Sequence, residues 1–281
     1  MLPAGGVPLP LLMRAIDEVA AATRAPFGIN FLVPFLDPEV LEVVASRARV
    51  IEFFYGDPDP SLVDIVHRAG ALACWQVGSM TEALAAAEAG CDLIVVQGIE
   101  AGGHVRGDVG LFPLLAQVIE KVEVPVLAAG GIGTGRSMAA ALAAGAAGVR
   151  VGTRFVAAAE SGANAVYVDL LIRARAEDTV LTQAFSVMWP NAPHRVLRSC
   201  VEAARALEGE TVGETLIDGV AYPVPRLAVP VPTRLTSGRI DAMALYCGQS
   251  VDAVHRIETA ASIIRELCEG AATLLRSAAR D

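Results

Sequence analysis

The sequence lacks any apolar segment long enough to cross a membrane. A spanning helix needs about 18 or more consecutive apolar residues. The longest stretch without Asp, Glu, Lys or Arg is Thr179–His194, which has 16 residues and includes two prolines. Residues 1–6 also lack the charged and apolar regions of a signal peptide. We therefore expect no membrane partner and a cytoplasmic location.

The sequence also has few basic residues, no closely spaced cysteine pair and no spacing typical of metal ligands. There are 22 Lys and Arg against 31 Asp and Glu, and the net charge of -9 has the wrong sign for binding a phosphate backbone. The five cysteines are widely spaced and form no CxxC pair, so we expect reduced thiols. No His and carboxylate spacing resembles a metal site. These features exclude nucleic acid as a partner and predict no metal.

What the sequence does contain is a repeating apolar pattern. With 54% hydrophobic and 19% charged residues, the chain of 281 residues can bury a sizeable core. Short apolar runs typical of buried parallel strands alternate with alanine-rich, helix-like stretches. The six runs begin at Phe27, Val50, Ala71, Asp92, Val124 and Gly148. Six βα units in succession predict a parallel α/β fold.

Two architectures fit such a pattern, a doubly wound sheet and a (β/α)8 TIM-type barrel. The barrel is favoured because glycine-rich motifs follow several different strands, and barrel enzymes gather their sites from many βα loops. The repetition ends near Phe155. We therefore predict a barrel domain over residues 1–160 with part of 161–185, and a mainly helical cap over residues 186–281 that packs back on the barrel.

The first candidate motif is Gln97–His104, which reads QGIEAGGH and follows a predicted buried strand. The adjacent Gly102 and Gly103 lack Cβ atoms, so they allow a flat ligand to approach the backbone closely. A histidine at this position can titrate near neutral pH and act as a general base. A purely structural role for His104, as a hydrogen-bonding residue of the loop, is the alternative.

Two further glycine motifs follow the next two predicted strands. Gly130 and Gly131 precede a helix whose amino terminus is suited to an anion. The second motif, residues 148–155, reads GVRVGTRF and comes one βα unit later. Barrels build their phosphate site after strands 7 and 8, so this pair of loops predicts a phosphate site.

Together these motifs resemble the nitronate monooxygenase family, which consists of FMN-dependent (β/α)8 barrel proteins. The resemblance covers nearly the whole chain. It rests on residues 27–30, 97–104, 128–132, 148–155, 178–182 and 245–250.

The resemblance implies an FMN site and a catalytic base. Asn30, Gln97 and Gly102 would contact FMN, and His104 would be the base. The phosphate would be held by Gly130, Gly131, Gly152 and Thr153. Gly103, Arg150 and Val151 adjoin these positions and are predicted with the cofactor site, Arg150 either as a phosphate contact or in a salt bridge.

The implied reaction takes a small-molecule substrate and O2. An alkyl nitronate, or a nitroalkane deprotonated by His104, would give an electron to FMN, and O2 would complete its conversion to a carbonyl compound and nitrite. A homo-oligomer is left open. The first alternative is an FMN-dependent enoyl-acyl carrier protein reductase that uses NAD(P)H. The second is a flavin-poor, non-catalytic remnant or binding protein.

The amino-terminal residues depart from the family's pattern. Residues 1–6 resemble the tail of the second barrel strand. We therefore expect a barrel that lacks the first strand, the first helix and most of the second strand.

Overall fold

Seven strands form the main sheet. The computed structural model describes residues 1–279. Within them the strands are β1 (Leu2–Pro3), β2 (Gly28–Leu32), β3 (Val50–Phe54), β4 (Leu72–Val77), β5 (Leu93–Gln97), β7 (Val126–Ala129) and β8 (Gly148–Arg150). The intervening β6 (Gly103–His104) belongs to another sheet.

The strand order decides between the two predicted architectures. The order is β1-β2-β3-β4-β5-β7-β8, and the strands from β1 to β5 pair in parallel. A doubly wound sheet reverses its strand order at a switch point. Here each strand of the sheet lies beside the one before it in the chain, as in a (β/α) barrel. The α/β class is confirmed, and the doubly wound alternative is wrong.

The chain forms two compact units. The first consists of Met1–Gln97, Pro113–Ala128 and Ala146–Gly148. The second consists of Gly98–Phe112, Ala129–Gly145 and the described residues from Val149 onward.

Helices of the first unit follow its strands. They are α1 (Leu9–Ala22), α2 (Pro38–Ala45), α3 (Pro60–Arg68), α4 (Met80–Glu88) and most of α5 (Leu111–Ile119). At the start of α4, the Ser79 hydroxyl accepts a hydrogen bond from the Glu82 amide at 3.2 Å. The Glu82 carboxylate accepts one from the Gly78 amide at 2.8 Å. These reciprocal bonds satisfy amides that the helix itself leaves unpaired.

One face of the first unit's sheet is apolar and aromatic. Phe31, Phe53 and Trp75 lie on neighbouring strands in register. The ring centroids are 6.4 Å apart for the first two and 4.8 Å apart for the last two. All three side chains are at most 2% exposed, so they anchor this core.

Two small antiparallel sheets lie in the second unit. One has the order β6-β10-β9, with β10 (His194–Leu197) between β6 and β9 (Thr179–Thr182). The other contains β11 (Thr211–Ile217), β12 (Val220–Pro225) and β13 (Thr236–Gly238). The helices are α6 (Gly135–Ala143), α7 (Thr153–Val156), α8 (Ala165–Arg173), α9 (Arg198–Ala206) and α10 (Ala260–Ala278).

Residues predicted as a mainly helical cap thus contain α9 and α10 together with strands β10 to β13. The β11–β12 hairpin turns at Asp218 and Gly219, whose φ values are +50° and +79°. An Asp-Gly pair of this kind is typical of a tight hairpin, because both positions need positive φ. The division into a barrel domain and a cap stays a prediction.

The described residues also bear on membrane contact and on the thiols. No helix among them combines the length and the apolar character needed to cross a bilayer. None of the five cysteines, all of which are described, forms a disulfide; Cys74, Cys91, Cys200 and Cys247 are buried, and Cys268 is exposed.

Candidate functional site

His104 lies in an aromatic cluster of the second unit. Strand β6 carries it opposite His194 of β10. Its ring stacks on Trp189, with the centroids 3.9 Å apart and an interplanar angle of 23°. The rings of His194 and Tyr246 lie 5.4 and 5.6 Å away. His104 is therefore held among rings rather than in a solvated loop.

The structure fixes the tautomer of the neighbouring His194, which is fully buried. Its Nε2 accepts a hydrogen bond from the Phe185 amide at 3.2 Å. Its Nδ1 lies 2.8 Å from the Ala192 carbonyl oxygen. An amide can only donate and a carbonyl can only accept, so Nδ1 carries the proton and Nε2 does not. Burial also lowers the pKa of His194, which keeps the ring neutral.

His104 is neutral at physiological pH for related reasons. Burial, and then the adjacent His194, lower the pKa of His104 from 6.5 to about 3. A neutral imidazole is the form that can accept a proton, but a pKa this low makes it a weak base. An anion formed beside the ring would raise that pKa. The cluster therefore suits a histidine whose basicity depends on a negatively charged ligand.

Gly102 is explained by packing inside the protein. A Cβ at this position would lie 2.3 Å from the Gly248 nitrogen and 2.4 Å from the Cys247 carbonyl carbon. The two segments are also joined by a backbone hydrogen bond, in which the Glu100 carbonyl accepts from the Gln249 amide at 2.9 Å. Only glycine fits this close backbone approach.

Gly130 and Gly131 follow β7 with φ values of +104° and +67°. A Cβ on Gly130 would lie 3.0 Å from the Gly98 carbonyl oxygen. Both positions thus require glycine for backbone reasons. The bend they make leads directly into α6.

A side chain already occupies part of the amino terminus of α6. The Ser137 hydroxyl accepts hydrogen bonds from the Gly133 and Thr134 amides at 3.2 and 3.1 Å. The Thr134 hydroxyl accepts one from the Ser137 amide in return. Any anion at this helix would therefore use amides other than those of Gly133 and Thr134.

Gly152 differs from the other glycines of the site. Its φ of -112° is ordinary, and a Cβ there would meet no atom within 4 Å. Neither the backbone nor the packing calls for glycine, so its missing side chain leaves open space. Thr153 follows, and its hydroxyl accepts a hydrogen bond from the Gly248 amide at 2.9 Å. Arg150 and Val151, just before it, are half-buried.

In the first unit, Asn30 and Gln97 lie on a polar face of the main sheet. The register places Asn30 beside Glu52 and places Gln76 on the same side, two residues further along the next strand. Glu52, Gln76 and Gln97 are at most 5% exposed. The Glu52 carboxylate accepts a hydrogen bond of 2.6 Å from the Asn30 side-chain amide. This bond turns the amino group of Asn30 toward Glu52.

The predicted residues of the second unit come together around one segment. Residues 248–250 contact the loop that carries Gly102, the Thr153 hydroxyl and Gly133 in the loop after Gly130 and Gly131. His104 lies next to Gly103 in β6, within the aromatic cluster. The sequence interpretation quoted residues 245–250 only as part of a motif and missed this linking role.

Sequence reasoning also missed Glu52. The signal was a carboxylate in the middle of an apolar run, VIEFFYG, where a charged residue needs a buried partner. His194 and Trp189 also lie in the cluster around His104. Both come from a segment without regular βα repetition, and no local pattern there indicates a contact with residue 104.

Comparison with known proteins matches this arrangement to one family. A family model for nitronate monooxygenase matches residues 35–270. The chain belongs to the nitronate monooxygenase family. The family named from the sequence motifs is thereby confirmed.

Two curated relatives support the family at moderate identity. The chain is 34% identical over 229 residues to a Mycobacterium tuberculosis protein named as a monooxygenase, covering 80% of this chain and 60% of that protein. It is 37% identical over 154 residues to a Staphylococcus aureus protein named for nitronate monooxygenase, covering 51% of this chain and 43% of that protein. The chain thus spans about half the length of these relatives.

Two solved structures resemble the fold. FabK from Thermotoga maritima matches with a TM-score of 0.78 and 28% identity, covering 97% of this chain and 84% of that one. A nitroalkane oxidase from Streptomyces ansochromogenes matches with a TM-score of 0.76 and 27% identity, covering 99% and 89%. Similarity to both is nearly equal, so fold likeness alone does not separate their activities.

Proposed function

We propose that this chain binds FMN and oxidises alkyl nitronates or nitroalkanes with O2, giving a carbonyl compound and nitrite. Its family membership supports the reaction class. The observation that carries the proposal is the neutral His104, stacked on Trp189 next to a neutral, fixed His194. A neutral imidazole at this place can accept a proton from an acidic ligand, and the anion so formed would stabilise the protonated ring.

The residues of the candidate site fit FMN. In the second unit, the open space at Gly152 gives a phosphate room, and the Thr153 hydroxyl keeps its proton as a donor while it accepts from Gly248. Gly130, Gly131, Arg150 and Val151 would complete the phosphate end. In the first unit, Asn30 and Gln97 would contact the cofactor, with Glu52 fixing the orientation of the Asn30 amide.

When bound, FMN would supply the electron transfer between substrate and O2. The protein's part is binding, orientation and a proton acceptor. An imidazole nitrogen of His104 would take the proton of a neutral nitroalkane, and its low pKa makes that step difficult unless the resulting anion stays beside the ring. A preformed nitronate needs no such step. We therefore expect nitronates to be the better substrates.

The proposal includes a correspondence of strands. Strands β1 to β5, β7 and β8 would correspond to the second to eighth strands of an eight-stranded barrel. The loops after β7 and β8 would then be those that hold a phosphate in such barrels. The partners are a small-molecule substrate and O2, and self-association is left to measurement.

Replacement of His104 tests its role as a base. In His104→Ala we expect FMN to stay bound and turnover of neutral nitroalkanes to fall by about 100-fold or more, because general base catalysis typically contributes that much. Turnover of preformed nitronates should change little. Nitrite release from both substrate forms measures this. Equal losses on the two forms would contradict a base role.

The absorbance spectrum after FMN reconstitution tests the proposal as a whole. Bound flavin bands are expected after removal of free FMN. Without those bands, both the monooxygenase and the reductase would be rejected in favour of a flavin-poor binding protein.

A further inference from the structure

A buried arginine links the two glycine loops of the second unit. Arg154 directly follows Gly152 and Thr153, and its side chain is 4% exposed. Its Nη1 donates a hydrogen bond of 3.2 Å to the Gly133 carbonyl, which lies in the loop after Gly130 and Gly131. One guanidinium therefore contacts one loop and is attached to the other.

Two carboxylates fix the orientation of this guanidinium. Glu266 of α10 accepts from Nη2 at 2.8 Å and from Nη1 at 3.3 Å, which is a bidentate arrangement. Glu258 accepts from Nη2 at 3.0 Å. The planar fork of Arg matches two acceptors at once, as a lysine ammonium cannot. The position of Arg154 is thus set by α10 and by the residue just before that helix's cap.

The packing of α10 on α6 reinforces the link. A Cβ on Gly135, the first residue of α6, would lie 2.7 Å from the Gly270 Cα of α10. The two helices therefore approach at a pair of glycines, without side chains between their backbones. The start of α6 is held from the same helix that holds Arg154.

Stability alone is a weak explanation for this network. Removing an arginine and its carboxylates from water is costly, and apolar residues of similar size often stabilise a protein as well or better. What apolar residues do not supply is a directed hydrogen bond to the Gly133 carbonyl. That bond ties the loop after Gly130 and Gly131 to the segment that follows Gly152 and Thr153.

We propose that Arg154 is a positioning residue that holds the two glycine loops at the spacing required by the FMN phosphate, with α10 as its anchor. This inference rests on the proposed function, since it presupposes FMN. Arg154 already has three protein acceptors, so it acts through the loops. Arg154 would therefore affect binding of the FMN phosphate and not binding of the flavin ring.

The test compares FMN with riboflavin, which lacks the phosphate. In Arg154→Lys, which keeps the charge but loses the fork, and in Arg154→Met, we expect FMN affinity to fall by about tenfold, the order of magnitude by which metal sites weaken when an outer-shell partner is lost. Riboflavin affinity should stay within about twofold. Fluorescence titration measures both. Arg173→Met, which removes an exposed pair with Asp169, is the matched control and should change neither affinity.

Three outcomes would overturn the inference. Equal losses of affinity for FMN and riboflavin would indicate general structural damage. Full FMN affinity in Arg154→Lys would indicate that the positive charge alone is sufficient. Unchanged FMN affinity in both variants would show that Arg154 has no role in binding the phosphate. If the unaltered protein binds no FMN, the proposed function fails first. That result is distinct from a failure of the Arg154 variants alone.

A variant of Glu266 tests the same proposal if the Arg154 variants do not fold. Glu266 is 47% exposed, so Glu266→Gln should fold, and it weakens the anchor while leaving Glu258 in place. We expect a smaller loss of FMN affinity, again without a loss for riboflavin. The phosphorus NMR resonance of bound FMN should also shift in Glu266→Gln and not in Arg173→Met. An unchanged resonance and unchanged FMN affinity would contradict the proposal.

Discussion

At the scale of single residues, neighbouring protein groups fix the protonation state or the orientation of several side chains of the candidate site. His194 is fixed as a neutral tautomer by two backbone bonds, and His104 is kept neutral by burial next to it. Asn30 is turned by Glu52. These restrictions make the groups ready for a ligand before it arrives, which reduces the reorganisation needed on binding.

The low pKa of His104 makes a prediction about stability. Its folded-state pKa of about 3 lies below the ordinary value of 6.5, so the unfolded chain binds the extra proton between these pH values. The free energy of unfolding should therefore fall as the pH drops from about 6.5 toward 3. His194 contributes in the same direction.

Urea unfolding at several pH values measures this effect. In His104→Gln, which does not titrate, the fall in stability with decreasing pH should be shallower than in the unaltered protein. The unaltered protein is measured in parallel under the same conditions. The same slope in both proteins would contradict the burial of a neutral His104.

At the scale of elements, the loops that follow strands β7 and β8 contain the residues proposed to bind the FMN phosphate. The loop after β7 needs its glycines for backbone reasons, whereas the loop after β8 has a glycine that no internal contact requires. Gly152 is exposed and lies next to Thr153, so the space beside it is open to a ligand. Within these two loops, Gly152 is therefore the residue that most favours a bound phosphate.

Replacing Gly152 with alanine tests that space. Because its φ is ordinary and no atom lies near the new methyl group, Gly152→Ala should leave the free energy of unfolding within about 0.5 kcal/mol. FMN affinity should nevertheless fall, since the methyl group enters the phosphate space. Thermal unfolding and fluorescence titration give the two quantities.

Gly162→Ala is the matched control. A Cβ at Gly162 also meets no atom within 4 Å, and this residue is outside the proposed site. Its stability and FMN affinity should both stay the same. If Gly152→Ala bound FMN as well as Gly162→Ala does, the phosphate would not lie at Gly152.

At the scale of the whole molecule, the sequence predicted the α/β class, the strand succession and the family. Apolar runs such as residues 50–54 and 93–97 are local signals, so strand positions could be predicted from them. The motifs around His104 and Thr153 were sufficient to identify the family.

Other features depend on long-range contacts that no local pattern contains. Glu52 pairs with Asn30 across two strands, and Gly248 reaches Thr153 across 95 positions of the chain. The β11–β12 hairpin did have a local signal in Asp218-Gly219, but the prediction for this region was a mainly helical cap. Tertiary pairing decided its conformation, as is common for strands.

The most direct measurement of the central proposal is the anaerobic reduction of bound flavin, followed by its loss of visible absorbance. The proposal predicts rapid bleaching of the reconstituted protein by propionate-3-nitronate or propyl-2-nitronate in the absence of NAD(P)H. Bleaching by NADPH but not by either nitronate would contradict it and favour the reductase.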